Sequence, residues 1–111
     1  MTPRLTAEFW VHAYLNRLRM VNIPAFVVSK GDLTAGAVVV KMNTLDGEAI
    51  AYQRSFDQVS GTRKWIDFSA GCETDVDAAI ARQIGFDPDL WVVEVEDRQG
   101  RHLLDEPGLA D

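Results

Sequence analysis

The chain has 111 residues, the size of one domain. Hydrophobic residues make up 47% and charged residues 25%, which suits a globular core that needs neither disulfide nor metal. Seventeen acids against eleven bases give a net charge of −6, which works against docking on phosphate backbones or anionic membranes.

The first element reads as a helix. Thr6 is its N-cap and Glu8 lies in its first turn. Trp10, Tyr14, Leu18 and Val21 recur at helical spacing, and Val11 and Leu15 widen the stripe. Arg17 and Arg19 suit the negative end of the helix dipole. Asn22 caps the C-terminus, and Ile23 before Pro24 is biased out of the helical region.

Residues 25–30 read as a strand by β-branched and aromatic content. Residues 37–42 read as a second, and their unbroken apolar run places it centrally in a sheet. Asp46-Gly47 is a turn, and residues 48–53 return as a third strand. These three strands are expected to form a meander. Residues 54–62 read as a loop and 63–68 as a fourth strand, broken by Gly71.

Thr74 is the expected cap of a second helix, with Asp77 as its capping-box partner. Val76, Ala79, Ile80 and Ile84 form the buried stripe, and Gly85 falls just past the end. Residues 90–97 form the last long strand. Trp91, Val93 and Val95 share one face; Leu90, Val92, Glu94 and Glu96 share the other. Residues 101–104 are expected to pair back as a short hairpin arm. Residues 106–111 are expected to be a flexible tail.

The predicted fold is therefore α+β. It is a single domain over residues 1–111, with a mostly antiparallel sheet of five to six strands and two helices. The order is α-β-β-β-β-α-β-β, with both helices expected on one face. Cys72 is the one cysteine, so no internal disulfide forms. No apolar run approaches the roughly 18 residues of a membrane span, and the N-terminus is too polar for a signal peptide. The expected location is the cytoplasm.

Two stretches carry a resemblance. One is Trp10 to Leu15 followed by Pro24 to Val28, Gly31-Asp32 and Ala35 to Val38. The other is Phe86 to Arg98. Together they resemble an uncharacterised alphaproteobacterial family, domain of unknown function 1491. The resemblance implies a bacterial cytoplasmic origin and brings no activity, ligand or catalytic residue.

The densest polar group is Asp87, Asp89, Glu94, Glu96 and Asp97. Asp89, Glu94, Glu96 and Asp97 are the candidate ligands for Mg²⁺ or Mn²⁺, which favour oxygen. A metal-dependent phosphodiester hydrolase would add a cation for the transition state, Lys41 or Arg98. The plainer reading is the solvated acidic end of an edge strand, charged to block edge pairing.

Arg98, Arg101 and His102 flank the last turn as a candidate anion or proton-transfer site, against a plainer role in ion pairing. Cys72 before the second helix is a conceivable thiolate, but no base is evident beside it. His12 reads as an exposed helix residue. Arg54, Arg63, Lys64 and Trp65 are the one basic-aromatic group, a pattern that holds single-stranded nucleic acid when enlarged.

No phosphate loop, nucleophile elbow, Cys-x-x-Cys or His-Glu-x-x-His pattern is present. The leading expectation is thus a non-catalytic interaction or regulatory module with a protein partner or a second copy. Its surface would include Trp65, Trp91, Arg98 and Arg101. No cofactor is predicted outside the metal reading, and nucleic acid is the third choice.

Overall fold

The computed structural model describes residues 5–110. Helix α1 spans Ala7–Met20 and begins as expected, with the Thr6 hydroxyl accepting from Phe9 N–H at 3.2 Å. Two further N–H groups of its first turn, on Ala7 and Glu8, donate to the carbonyls of Thr34 and Leu33. A loop thus satisfies donors that the helix itself leaves unmade. At the other end Asn22 adopts φ 62°. Ile23 N–H then reaches Leu18 O and Asn22 N–H reaches Arg19 O, a Schellman closure.

Five strands follow: β1 Ala25–Ser29, β2 Val38–Asn43, β3 Glu48–Asp57, β4 Thr62–Cys72 and β5 Trp91–Glu96. Helix α2, Glu73–Phe86, sits between the last two. The sheet order is β1-β5-β2-β3-β4. All neighbours are antiparallel except β5 and β2, which are parallel. The meander is therefore β2-β3-β4, not β1-β2-β3. The chain crosses from the β4 edge by α2, over β3 and β2, and inserts β5 beside β1.

That insertion has a sequence cause. Trp91, Val92, Val93 and Val95 are all buried, so β5 is apolar on both faces and belongs inside the sheet. The expectation of a charged edge strand at residues 90–97 fails for this reason. The helices also lie on opposite faces rather than one. Trp10, Val11, Tyr14 and Leu18 of α1 pack with Val40, Met42, Trp91, Val93 and Val95. Val76 and Ile80 of α2 pack with Val39, Ala49, Ala51 and Val92 on the reverse side. The period-2 alternation of β2 and β5 sends neighbouring residues to different helices.

Other boundaries moved. Residues 54–57 continue β3 instead of looping, paired with residues 62–65 of β4, and the Arg54 guanidinium lies over the Trp10 and Trp65 rings at 4.7 and 4.9 Å. The N-cap of α2 is Cys72, not Thr74, and Gly85 lies within the helix. Residues 101–104 form no strand; Leu103 has φ 61°, incompatible with a ladder. The segment expected as a tail makes turns against the α1 face. Leu104 and Leu109 are buried there, and the Trp65 indole donates to Leu109 O at 2.9 Å.

Candidate functional site

The polar interior sits on the α2 face. Lys41 in mid-sheet is only 4% exposed. A buried ammonium needs opposite charge and acceptors around it. The turn from β4 into α2 provides them: Glu73 and Asp77, four residues apart, share the helix face that also carries Val76 and Ile80. Lys41 Nζ lies 2.7 Å from Glu73 Oε2, 2.7 Å from Asp77 Oδ1 and 3.3 Å from Glu94 Oε1. Asn43, two residues on, donates to Glu73 and Glu94, both at 3.2 Å. Burial opposes the charge on Lys41, but bonds to Asp77 and Glu73 and the field of Glu94 outweigh it. The lysine pKa is held above its ordinary value. The ammonium thus occupies the place a cation would take among these carboxylates.

A second concavity opens on the α1 face, between the β3–β4 hairpin and the C-terminal segment. Its volume is about 460 Å³, with Tyr52, Trp65, His102 and Leu104 among its walls and Arg63, Lys64 and Asp105 also lining it. The His102 ring meets Tyr52 edge-on at 4.8 Å, and its Nδ1 accepts from Leu104 N–H at 3.0 Å. With Nδ1 as acceptor, the neutral ring carries its proton on Nε2. Burial pushes the His102 pKa down, opposed by Asp105.

Beside the concavity, Arg101 closes on Asp97. Its Nε and one terminal nitrogen reach the two carboxylate oxygens at 3.0 and 2.9 Å, and its backbone N–H adds a bond of 2.7 Å. Hydrogen bonds from the Arg101 side chain hold the Asp97 carboxyl below the usual carboxylate range.

The third feature is the β1 edge. β1 pairs with β5 on one side and has no strand on the other among the described residues. Phe26, Val27 and Val28 are 46%, 37% and 54% exposed. Met20 and Val21, just before β1, are exposed as well.

A family model described as a protein of unknown function, DUF1491, matches residues 5–105. The chain belongs to the DUF1491 family. A crystal structure of a DUF1491 protein from Caulobacter crescentus is 40% identical, with a TM-score of 0.84 over 94% of this chain and 98% of that one. A solution structure of a DUF1491 protein from the same organism is 39% identical, with a TM-score of 0.82 over 96% and 97%. A solution structure from A. tumefaciens is 30% identical, with a TM-score of 0.72 over 85% and 86%. No curated protein matches the chain. The resemblance read from the opening and closing motifs is borne out. The DUF1491 family brings a fold and no known role. No helix of the chain is long and apolar enough to cross a membrane.

Within this DUF1491 fold the carboxylates of residues 89–97 do not converge. Asp89 lies at the opposite end of β5, roughly 16 Å from Glu94 along an extended strand, and its carbonyl accepts from Asp32 N–H. Glu94 and Glu96 share the α2 face, and Glu94 is engaged by Lys41 and Asn43. Asp97 belongs to Arg101. Among the described residues, no group of three or more His, Cys, Asp or Glu is placed to hold a metal ion.

Arg98 is exposed on the turn, away from Lys41, and His12 and Cys72 are exposed. Trp91, expected at a surface, is instead 2% exposed, with its indole donating to Asp32 O at 2.7 Å. Trp65 is half-buried and packs against Trp10 at 5.3 Å. The sequence reading missed Glu73, Asp77 and Asn43 as partners of Lys41. The signal was available: one lysine in an apolar strand demands acids nearby, and Glu73 and Asp77 lie on the apolar face of the following helix.

Proposed function

We propose that this protein is a non-catalytic interaction module of the bacterial cytoplasm, which takes an extended apolar segment of another protein as an added strand beside β1. The observation that carries this is the character of that edge. Protein sheet edges are ordinarily blunted by charge or proline. Ala25 to Ser29 contains neither, and the bulge after Val27 is the one irregularity. Main-chain groups along such an edge supply affinity, and pockets for alternate side chains supply choice. Phe26, Val27 and Val28 are all exposed along this edge, and Met20 and Val21 just before it are exposed as well.

A short peptide fits better than a second copy. Five residues of strand bury far less than the ~800 Å² per partner of stable complexes, and a charge of −6 repels self-association. The test is titration with a soluble peptide carrying Ala-Phe-Val-Val-Ser between lysines, against the same peptide N-methylated at alternate amides. The first is expected to slow exchange of the amides of residues 25–28, and the second to leave them unchanged. Equal binding by both peptides, or a dimer mass by light scattering without peptide, would end this reading.

A further inference from the structure

The open edge of β1 carries a side-chain preference as well as free main-chain groups. Glu96 N–H donates to Pro24 O, Ala25 lies opposite Val95, and Phe26 lies opposite Glu94. Ladder bonds alternate along an antiparallel pair, so Pro24 and Phe26 turn their main-chain groups toward β5. Ala25 and Val27 turn theirs outward, where an added strand would meet them. Residues opposite each other share a face of the sheet, which puts Pro24, Phe26, Glu94 and Glu96 on the α2 side.

The two carboxylates on that side differ. The Glu94 side chain is 14% exposed and is taken up by Lys41 and Asn43. Glu96 is half-buried, and among the described residues its carboxylate has neither an ion pair nor a hydrogen bond. The cations nearest in the fold do not answer it. Lys41 is committed to Glu73, Asp77 and Glu94, and Arg98 on the next turn is exposed. A carboxylate that has lost part of its water is stabilised by an opposite charge brought to it.

Pro24 stands between Glu96 and the open edge, exposed and with a short ring. An added antiparallel strand places one residue opposite Pro24, its Cα about 10 Å from that of Glu96. A lysine or arginine lays its stem along apolar surface and carries the charge at the tip, so it can cross the proline ring to Glu96. In the neighbouring row the exposed Phe26 ring replaces Pro24, and Glu94 is already paired, so an apolar side chain fits there. The net charge of −6 favours a basic partner in the same sense.

Resting on strand addition at β1, we propose that the added strand is antiparallel and carries an apolar residue opposite Phe26 and, two residues further along, a lysine or arginine opposite Pro24 that pairs with Glu96.

The probes are three capped hexapeptides titrated into labelled protein and followed by amide shifts and amide exchange. The first is acetyl-Thr-Val-Val-Thr-Lys-Thr-amide. The second has glutamine in place of lysine. The third, acetyl-Lys-Val-Val-Thr-Thr-Thr-amide, moves the charge to the other end. All three are expected to protect the amides of Ala25 and Val27. The first is expected to bind about fivefold tighter than the other two, the upper range for an ion pair at a surface. Glu96→Gln is expected to abolish that preference and leave the affinity of the glutamine peptide unchanged. Asp67→Asn, exposed on the opposite edge strand β4, removes the same charge and is expected to keep the preference. Thermal melts report that each variant retains the fold, and the comparison of peptides on the wild-type protein needs no variant. Equal affinity for the first two peptides, or a preference that survives Glu96→Gln, would overturn the basic partner while protection of Ala25 and Val27 upholds strand addition. Absence of that protection with every peptide would remove strand addition itself, and the basic partner with it.

Discussion

Lys41 Nζ lies 2.7 Å from Asp77 Oδ1, so the middle of the sheet is joined by charge to the second turn of the helix that crosses it. The same ammonium reaches Glu73 and Glu94. Lys41→Met removes the cation and leaves three carboxylates facing one another. It is expected to lower stability in urea by about 2 kcal/mol, the scale of a hydrogen bond to a charged group. Glu94→Gln in the Lys41→Met background is expected to recover part of that loss, since the two share one network. The lysine pKa is raised in the folded protein, so its contribution is full below about pH 10.4 and fades as pH climbs further. Tyr14, whose phenol burial pushes up, fades in the same direction. The alkaline slope of Lys41→Met is therefore expected to be shallower than wild type, not flat.

His102 governs the other limb. Burial depresses its pKa, so the folded state disfavours the imidazolium. Stability is full above about pH 6.5 and falls as pH drops from there toward the folded-state pKa. His102→Asn keeps a side-chain acceptor within reach of Leu104 N–H but does not titrate. Chemical denaturation at a series of pH values is expected to show a loss setting in below about pH 6.5 in wild type and not in the variant. Asp97, lowered by Arg101, adds a separate fall only in the carboxylate range, and both proteins keep it.

Glycine matters in the loop between β1 and β2 and not in α2. A Cβ on Gly31 would lie 2.1 Å from Asp89 O and 2.7 Å from Trp91 Cδ1. Backbone cannot move aside as a flexible side chain does. Gly31→Ala is expected to cost about 3 kcal/mol, the upper range for overpacking. A Cβ on Gly85 meets nothing within 4 Å. Gly85→Ala in the last turn of α2 is expected to stabilise by about 0.5–1 kcal/mol. Thermal melts of the two variants should move in opposite directions.

Cys72 stands at the N-cap of α2 with ψ 133° and makes no side-chain cap bond. Serine at that position offers an oxygen acceptor for the first-turn amides. Cys72→Ser is expected to raise stability by about 0.5–1 kcal/mol. The thiol is exposed, so it should react with a disulfide reagent in native buffer at the rate seen in denaturant, within a few-fold. Marked protection in the native state would contradict the described placement.

Local signals were the most legible. The Thr6 cap, the Asn22 turn and the stripe from Trp10 to Leu18 stand in the structure as the spacing predicts. Each depends on residues within about one helical turn of each other. The candidate sites were read less well. Glu94 and Lys41 were linked as an acid and a cation, and they do meet, yet as an internal ion pair held with Glu73 and Asp77. In the sequence Trp65 stands in one polar group and His102 in another, 37 residues on. Nothing in their spacing says that the segment after β5 folds back onto the hairpin.

By itself the sequence determined the α+β class, the approximate places of the two helices and five strands, and that the run at residues 37–42 is too apolar to face water. Those properties follow from periodicity, caps and turns, which act over a few residues. The tertiary structure alone decided that β5 enters between β1 and β2, that the two helices take opposite faces, and that Trp91 is core. Strand order depends on closing contacts across more than sixty residues, as between Phe26 and Glu94. That choice is settled by which arrangement buries both faces of β5 and surrounds Lys41 with acid, a sum over the whole fold that no local pattern contains. It also left β1 at the edge, apolar and with no strand on its outer side among the described residues, where the proposed partner strand would add.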